Sequence, residues 1–335
     1  MTVVKREHIK TINRIYDLGP TLIHVEAEYD DLIIGFDRFL DERRLKDTST
    51  RSRVSTFNVT IRIGELKPHP ADCELLFKGK MLVDGECEFA RKAETYFLTF
   101  PDEACMVIDL EGRRAEIIVT HDHRHRAQGC MVPIIIEYAL DREGQQVVHA
   151  AGLSLPDDKG MVLISAASNT GKTTTSLALA KCGLKFAADD VMVLRRELDG
   201  VVSWGLPRWL HVHRKTAAML PWLELELKWN KNEEQMVTRR ELASKLDIEN
   251  STLPVTCLIH LKRGEKAAIE PIEATDMLVH LAEDNVRGSP TGLTSLQANR
   301  FTMLADLVEA VPAYCVTIGE GLLDIETIAR DIKNL

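Results

Sequence analysis

The sequence lacks the features of membrane proteins and of nucleic-acid-binding proteins. No run approaches the ~18 consecutive apolar residues that cross a bilayer, and the first ten residues contain no apolar core of signal-peptide length. Lys and Arg number 42 against 51 Asp and Glu, so the net charge is −9 at pH 7. We therefore expect no membrane partner, and the acidic balance argues against nucleic acid as the main partner.

Paired cysteines are also missing. The seven cysteines are odd in number, scattered along the chain and include no CxxC pair. This pattern argues against a disulfide framework or a zinc ribbon. The simplest compartment for such a chain is a reducing cytoplasm.

Length and composition predict a globular chain of one large or two ordinary domains, because 45% of the 335 residues are hydrophobic. Short runs of alternating apolar and polar residues predict a smaller β-rich (α+β) domain over residues 1–140, which recognises substrate or packs on the rest. A helix is expected within 131–144, ending at Gly144. The glycine in the short apolar run 31–36 argues against a helix there. Residues 141–335 form the second domain.

The segment 161–173 carries most of a Walker A motif. Met161 to Ser165 predict a strand, and the following loop closes on Gly171-Lys172-Thr173 before a helix. In such a loop, backbone N–H groups and the helix N-terminus hold phosphate, the lysine reaches β- and γ-phosphates, and the hydroxyl binds Mg²⁺. The residues expected to contact the nucleotide are Ser168, Asn169, Thr170, Gly171, Lys172, Thr173 and Thr174.

The loop departs from the strict motif at two glycine positions. Ala166 stands at the first, and Asn169 stands at an inner one. Asn tolerates the left-handed backbone better than most residues, so we expect Asn169 to take a glycine-like turn.

An acid pair follows after one helix and one strand. The helix is expected to end at Gly183, and the strand 184–188 runs into Asp189-Asp190. Ligands bind at the carboxyl ends of strands in open α/β sheets. One acid is therefore expected to hold Mg²⁺ with Thr173, and the other to accept a proton from a hydroxyl.

These residues resemble the catalytic domain of the HPr kinase/phosphorylase family, whose fold is shared with phosphoenolpyruvate carboxykinase. The shared pattern is His149 on a strand, the loop through Thr173, Gly183, and then Asp189-Asp190 after an alanine. The resemblance implies an α/β fold with a P-loop catalytic domain of this type. It also implies that Asp190 is the base, that Asp189 pairs with His149, and that homo-oligomers are possible.

Two departures bear on the activity. Thr174 stands where bifunctional members carry an acid after the P-loop hydroxyl residue, and their glycine-rich C-terminal signature is absent. The resemblance thus favours a kinase over a phosphorylase and does not assign HPr as the substrate. The sequence predicts an ATP- and Mg²⁺-dependent kinase acting on a serine-type hydroxyl of a protein or peptide. A kinase of a small alcohol or amino acid, and a non-catalytic nucleotide-binding regulator, remain open.

Four further groups are less specific candidates. Two carboxylates near His149 would favour its imidazolium form. Arg214, in a basic run after residue 210, is a candidate phosphate contact or else the exposed start of a helix. The histidines of the run 121–125 suggest either a metal site or, by default, a solvated hairpin tip. Asn230-Lys231-Asn232-Glu233 resembles the guanine-reading motif of GTPases, but Glu replaces its Asp.

Overall fold

The computed structural model describes residues 11–45, 55–81, 85–226, 228–287, 292–319 and 322–335. The chain divides into two compact units, Met1–Glu143 and Gly144–Leu335. The boundary expected from sequence lay near residue 140. Both units combine helices with a large sheet, so the prediction of a mixed α/β chain is confirmed.

The first unit is built on an eight-stranded sheet. Its strands are β1 (Ile12–Asp17), β2 (Thr21–Ala27), β3 (Ser55–Ile63), β4 (Glu74–Met81), β5 (Gly85–Lys92), β6 (Thr95–Phe100), β7 (Ala104–Asp109) and β8 (Arg114–Val119). The order across the sheet is β1-β2-β3-β8-β7-β6-β5-β4. Only β3 is parallel to its neighbours, β2 and β8, and the other pairs are antiparallel.

In the described part of this unit the α-helices are α1 (Asp30–Leu40) and α2 (Met131–Asp141). The first connects the parallel strands β2 and β3, so the expectation that Gly35 argues against a helix is wrong. A side chain at Gly35 would place its Cβ 2.9 Å from Gln128 Cα and from Val132. Helix α1 packs so closely against Gln128 and Val132 that only glycine fits at position 35. This close packing outweighs the poor helix propensity of glycine.

The histidine-rich run is not a hairpin tip. Residues His121–Gln128 form 3₁₀ turns that lead from β8 toward α2, and His123 Nδ1 lies 2.8 Å from Thr120 Oγ1. Ala127 from this segment is fully buried. The segment therefore helps to close the core of the first unit.

The second unit contains a nine-stranded sheet and a two-stranded one. The larger consists of β9 (Gln145–Val148), β10 (Ala151–Ser154), β11 (Met161–Ala166), β12 (Lys185–Ala188), β13 (Met192–Glu197), β14 (Gly200–Gly205), β17 (Leu253–Arg263), β18 (Ala268–Pro271) and β19 (Ala313–Ile318). The smaller pairs β15 (Leu210–His213) with β16 (Glu234–Val237). The order β12-β10-β11-β17-β14-β13-β9 is completed by β19, which pairs with both β17 and β18.

Strand directions bring several chain segments to one edge of this sheet. Strand β10 is antiparallel to both β11 and β12, so those two strands end where β10 begins. Strand β17 is parallel to β11 and ends at the same edge. The residues after β11 and β12, those before β10, and the last residues of β17 are therefore neighbours.

Helices cover both faces of the larger sheet. They are α3 (Lys172–Lys181), α4 (Arg214–Met219), α5 (Arg239–Ala243), α6 (Ala274–Asn285), α7 (Ser295–Ala310) and α8 (Ile325–Ile332). Ile164 and Ile259 pack with α3 and α8, whereas Leu163 and Leu258 pack with α6 and α7. Burial on both faces explains why β11 reads as an almost continuous apolar run.

None of the helices in the described ranges has the length and apolar character needed to cross a membrane.

Candidate functional site

The loop between β11 and α3 has the backbone expected of an anion-binding turn. Asn169 (φ 64°) and Gly171 (φ 104°) both adopt the left-handed conformation, which confirms the glycine-like role predicted for Asn169. Between them, the Thr170 N–H donates to the Ala167 carbonyl at 3.1 Å. Gly171 is the N-cap of α3, so the loop's peptide groups lie at the positive end of that helix.

Lys172 begins α3 and is buried at 8% exposure. Its Nζ lies 2.8 Å from His149 Nε2 and 3.2 Å from Asp190 Oδ1. His149 sits just before β10, where its backbone N–H donates to Asn285 Oδ1 at 2.5 Å. The sheet edge thus brings a lysine, a histidine and a carboxylate into one cluster.

The contacts of the His149 ring favour its neutral form. An ammonium group can only donate, so Nε2 accepts from Lys172 and the ring proton resides on Nδ1. Partial burial, and then the Lys172 charge, lower the pKa of His149, and the opposing effect of Asp190 is smaller. The expectation of an imidazolium is therefore wrong, because it considered the carboxylates and omitted the lysine between them.

Asp189 occupies the buried side of the site, at 5% exposure. Its Oδ2 accepts a 2.6 Å hydrogen bond from the Thr173 hydroxyl, and its Oδ1 is buried without a hydrogen-bond partner. Burial, reinforced by the charge of Asp190, raises the pKa of Asp189 to about 6, while the Thr173 hydrogen bond and Lys172 oppose the rise. An oxygen in this position is available to a hard cation.

Asp190 faces the charged side of the site. Its backbone is left-handed (φ 68°), and its side chain is 34% exposed. Burial alone would raise its pKa, but the positive charges of Lys172 and Arg208 lower the pKa below the ordinary aspartate value. A strained conformation held by surrounding structure is a frequent feature of functional sites.

The pairing of His149 differs from the one that the family resemblance implies. His149 Nε2 lies 4.0 Å from Asp190 Oδ1, whereas the contact of Asp189 is with Thr173. The two acids follow each other in the chain, and Asp190 adopts the left-handed backbone conformation.

Two other predicted residues lie away from this cluster. The Thr174 hydroxyl is 2.8 Å from the Thr216 hydroxyl, so only its main chain remains for an anion. The Arg214 guanidinium is 65% exposed and lies 3.8 Å from Glu233. Among the described arginines it is Arg208, in the segment after β14, that approaches Asp190, with Nη1 4.0 Å from Oδ2.

Sequence reasoning missed Arg208 because no motif surrounds it. It also missed Arg263, the last residue of β17, whose Nε donates to the Thr170 carbonyl at 2.8 Å. The only sequence signal for Arg263 is a basic residue at the end of an apolar strand, a pattern too common to assign a role.

The remaining candidates have ordinary structural roles. Asn230 Oδ1 accepts from the N–H groups of Asn232 and Glu234 at 2.8 and 2.9 Å, so the GTPase-like run forms a turn before β16. In the described parts of the chain, no group of three or more His, Cys, Asp or Glu side chains is arranged to hold a metal ion. The oxygens available for Mg²⁺ are those of Thr173, Asp189 and Asp190, which suit that cation chemically.

No family model and no curated protein sequence matches the chain. Among solved structures, the chain is similar to the Hpr(Ser) kinase/phosphatase from Coxiella burnetii, with 16% sequence identity and a TM-score of 0.30. The similarity covers 56% of this chain and 97% of that chain. It is a distant structural similarity, and by itself it assigns no activity.

Proposed function

We propose that the chain is a kinase that transfers the γ-phosphoryl group of ATP, with Mg²⁺, to a hydroxyl group on a protein or peptide. One observation carries the proposal. At the start of α3, Lys172 lies 3.2 Å from Asp190 while Thr173 donates to Asp189 at 2.6 Å. A cation, a hydroxyl and two acids thus meet at a helix N-terminus, where phosphoryl transfer needs them.

The loop and Lys172 would bind the nucleotide. Backbone N–H groups around Asn169 and Gly171 would hold phosphate oxygens, and Lys172 would neutralise the β- and γ-phosphates. In the structure, Lys172 contacts Asp190 and His149. A bound phosphate would compete for the ammonium group and free the Asp190 carboxylate for the acceptor.

Thr173 and Asp189 would hold Mg²⁺. The unpartnered Asp189 Oδ1 is the observation that favours this assignment, because a buried carboxylate oxygen without a donor is stabilised by a cation. Bound there, the metal would neutralise phosphate charge. The Thr173 hydroxyl keeps Asp189 oriented toward the helix start.

Asp190 would act as the base. Its lowered pKa keeps it ionised at neutral pH, so it can accept the acceptor's hydroxyl proton as the new bond forms. The acceptor oxygen bonds to the γ-phosphorus, the bond between that phosphorus and the bridging oxygen breaks, and ADP leaves. Arg208 beside Asp190 would help to stabilise charge on the transferred group.

Labelled ATP tests the proposal directly. Purified protein is incubated with γ-labelled ATP, Mg²⁺ and an extract of the source cell, with Lys172→Ala as the inactive reference and unlabelled GTP as competitor. We expect a labelled protein band with the wild type alone. Label in a metabolite would make the acceptor a small alcohol or amino acid. Nucleotide binding without any transfer would leave a nucleotide-binding regulator and overturn the kinase assignment.

A further inference from the structure

Arg263 reaches the loop before α3 from a distant part of the chain. Strand β17 is parallel to β11, with Leu261 opposite Ala166, and it continues two residues beyond that point. Leu261 is buried in the same core cluster as Leu177 of α3. Since side chains two residues apart share a strand face, Arg263 continues this face past the sheet edge and alongside the loop.

The guanidinium of Arg263 packs against the Thr170–Gly171 peptide. Its Nε donates to the Thr170 carbonyl at 2.8 Å. Its Nη2 lies 3.0 Å from the point where a side chain at Gly171 would place Cβ. Thr170 is thus fixed through both of its backbone groups, because its N–H is bonded to the Ala167 carbonyl.

The hydrogen bond between Arg263 and the Thr170 carbonyl sets the direction of the next backbone donor in the loop, the Gly171 N–H. The peptide bonds of the described residues are trans, and in a trans peptide the C=O and N–H point in opposite directions. Holding the Thr170 carbonyl on Arg263 therefore directs the Gly171 N–H to the side of the loop that lies away from Arg263. That N–H belongs to the group expected to hold phosphate.

Within the described ranges, no carboxylate forms an ion pair with the Arg263 guanidinium, and the side chain is exposed. A guanidinium remains positively charged at all working pH values. It therefore adds positive potential beside the loop in addition to its hydrogen bond.

We propose that Arg263 is a positioning residue for the triphosphate: it preorganises the 167–171 loop so that the Gly171 N–H faces a β- or γ-phosphate. This inference rests on the proposed nucleotide site and adds a residue to it. Arg263 acts through the loop and does not need to touch the reacting atoms.

The test compares Arg263→Met with Lys262→Met. Lys262 is the adjacent basic residue of β17, points to the other face and lies 4.0 Å from Glu270, so it controls for charge and strand position. Calorimetry measures the dissociation constants for ATP with Mg²⁺ and for AMP. We expect Arg263→Met to weaken ATP binding about 10- to 100-fold, the effect of losing a charged hydrogen bond, and to leave AMP binding unchanged. Lys262→Met should bind both as the wild type does.

Two further readouts separate positioning from general stability. Arg263→Lys, which keeps the charge and one donor, should recover part of the ATP affinity. Amide hydrogen exchange of the peptide covering 167–175 should accelerate in Arg263→Met while the melting temperature stays that of the wild type.

The outcomes are distinguishable. If the wild type binds ATP and Arg263→Met binds it equally well, the role of Arg263 is wrong and the nucleotide site stands. An equal loss for AMP, or a loss that follows a lowered melting temperature, also overturns the positioning role. If the wild type binds no nucleotide, the proposed function itself fails.

Discussion

The buried side of the candidate site, around Asp189, and its charged side, around Asp190, give the same residue type opposite properties. Asp189 lies in the interior with one donor, the Thr173 hydroxyl, and its pKa is raised. Asp190 lies among Lys172, Arg208 and His149, and its pKa is lowered. The two adjacent carboxylates therefore have different partners, Thr173 for Asp189 and Lys172 for Asp190.

This difference suggests a division of labour. Two titratable groups with pKa values pushed apart by their surroundings commonly serve different chemical roles. Asp189, with its unpartnered oxygen, suits a cation. Asp190, ionised and partly exposed, suits an incoming hydroxyl.

Neutralising each acid in turn should give the largest effect and tests whether Asp189 and Asp190 have different roles. Asp190→Asn removes the base, so we expect phosphoryl transfer to fall about 10²- to 10⁴-fold while Mg²⁺-dependent nucleotide binding persists. Asp189→Asn should instead raise the Mg²⁺ concentration that turnover requires. Turnover measured across a Mg²⁺ titration distinguishes the two, and identical titration curves for both variants would contradict the division.

Lys172→Ala tests the role of the Lys172 ammonium group, which contacts Asp190 and His149. Loss of one electrostatic contact to a transition state typically costs about 10²- to 10³-fold in rate, and we expect a decrease of this size. Lys181→Ala is the matched control, since Lys181 is the exposed last residue of the same helix. ATP turnover assays compare the variants, and equal rates for Lys172→Ala and Lys181→Ala would remove Lys172 from the site.

The pH dependence of stability tests the buried side. The pKa of Asp189 is higher in the folded state than its ordinary value of 3.8, so ionisation of Asp189 costs stability as the pH rises from about 4 to about 6. Asn cannot ionise. Asp189→Asn should therefore gain stability relative to the wild type over this window, by up to about 3 kcal/mol. Urea unfolding of both proteins at several pH values measures this difference in the free energy of unfolding.

Asp190→Asn should show the opposite sign. The lowered pKa of Asp190 contributes stability above pH 3.8 that is lost as the pH falls through its folded value, so the variant loses this contribution at neutral pH. If the free energy of unfolding changed with pH in the same way for both variants, the two acids would share one environment and the comparison would be wrong.

The smallest expected effect concerns the loop backbone. Gly171 has φ 104°, so Gly171→Ala should cost roughly 1–2 kcal/mol of stability. Gly200, with φ 134° and open space around it, is the matched control. Both variants should melt earlier, and only Gly171→Ala should also lose ATP affinity. Unchanged ATP affinity in Gly171→Ala would argue against a phosphate contact at this loop.

The spacing of the motif residues along the chain predicted that Thr173 and Asp189 lie close to Lys172, because one helix and one strand connect the loop to Asp189. The loop, α3 and β12 follow each other without interruption, so Thr173 and Asp189 can meet in few ways. Arg208 follows the hairpin of β13 and β14, whereas Arg263 approaches the same edge through the pairing of β17 with β11 across a long sequence separation. No local pattern encodes that pairing.

Other failures have local physical causes. Gly35 lies inside α1 because the helix packs too closely for a side chain, which propensity does not anticipate. The protonation state of His149 depends on the Lys172 ammonium at 2.8 Å, a contact that exists only once β10 and α3 are assembled.

The central claim is that the start of α3 binds the phosphates of a nucleotide. Isothermal titration of ATP with Mg²⁺ into the wild type and into Lys172→Ala tests it most directly. We predict saturable binding to the wild type and at least about tenfold weaker binding to the variant, with both proteins equally folded. Equal affinity of the two proteins, or no binding to the wild type, would contradict the account.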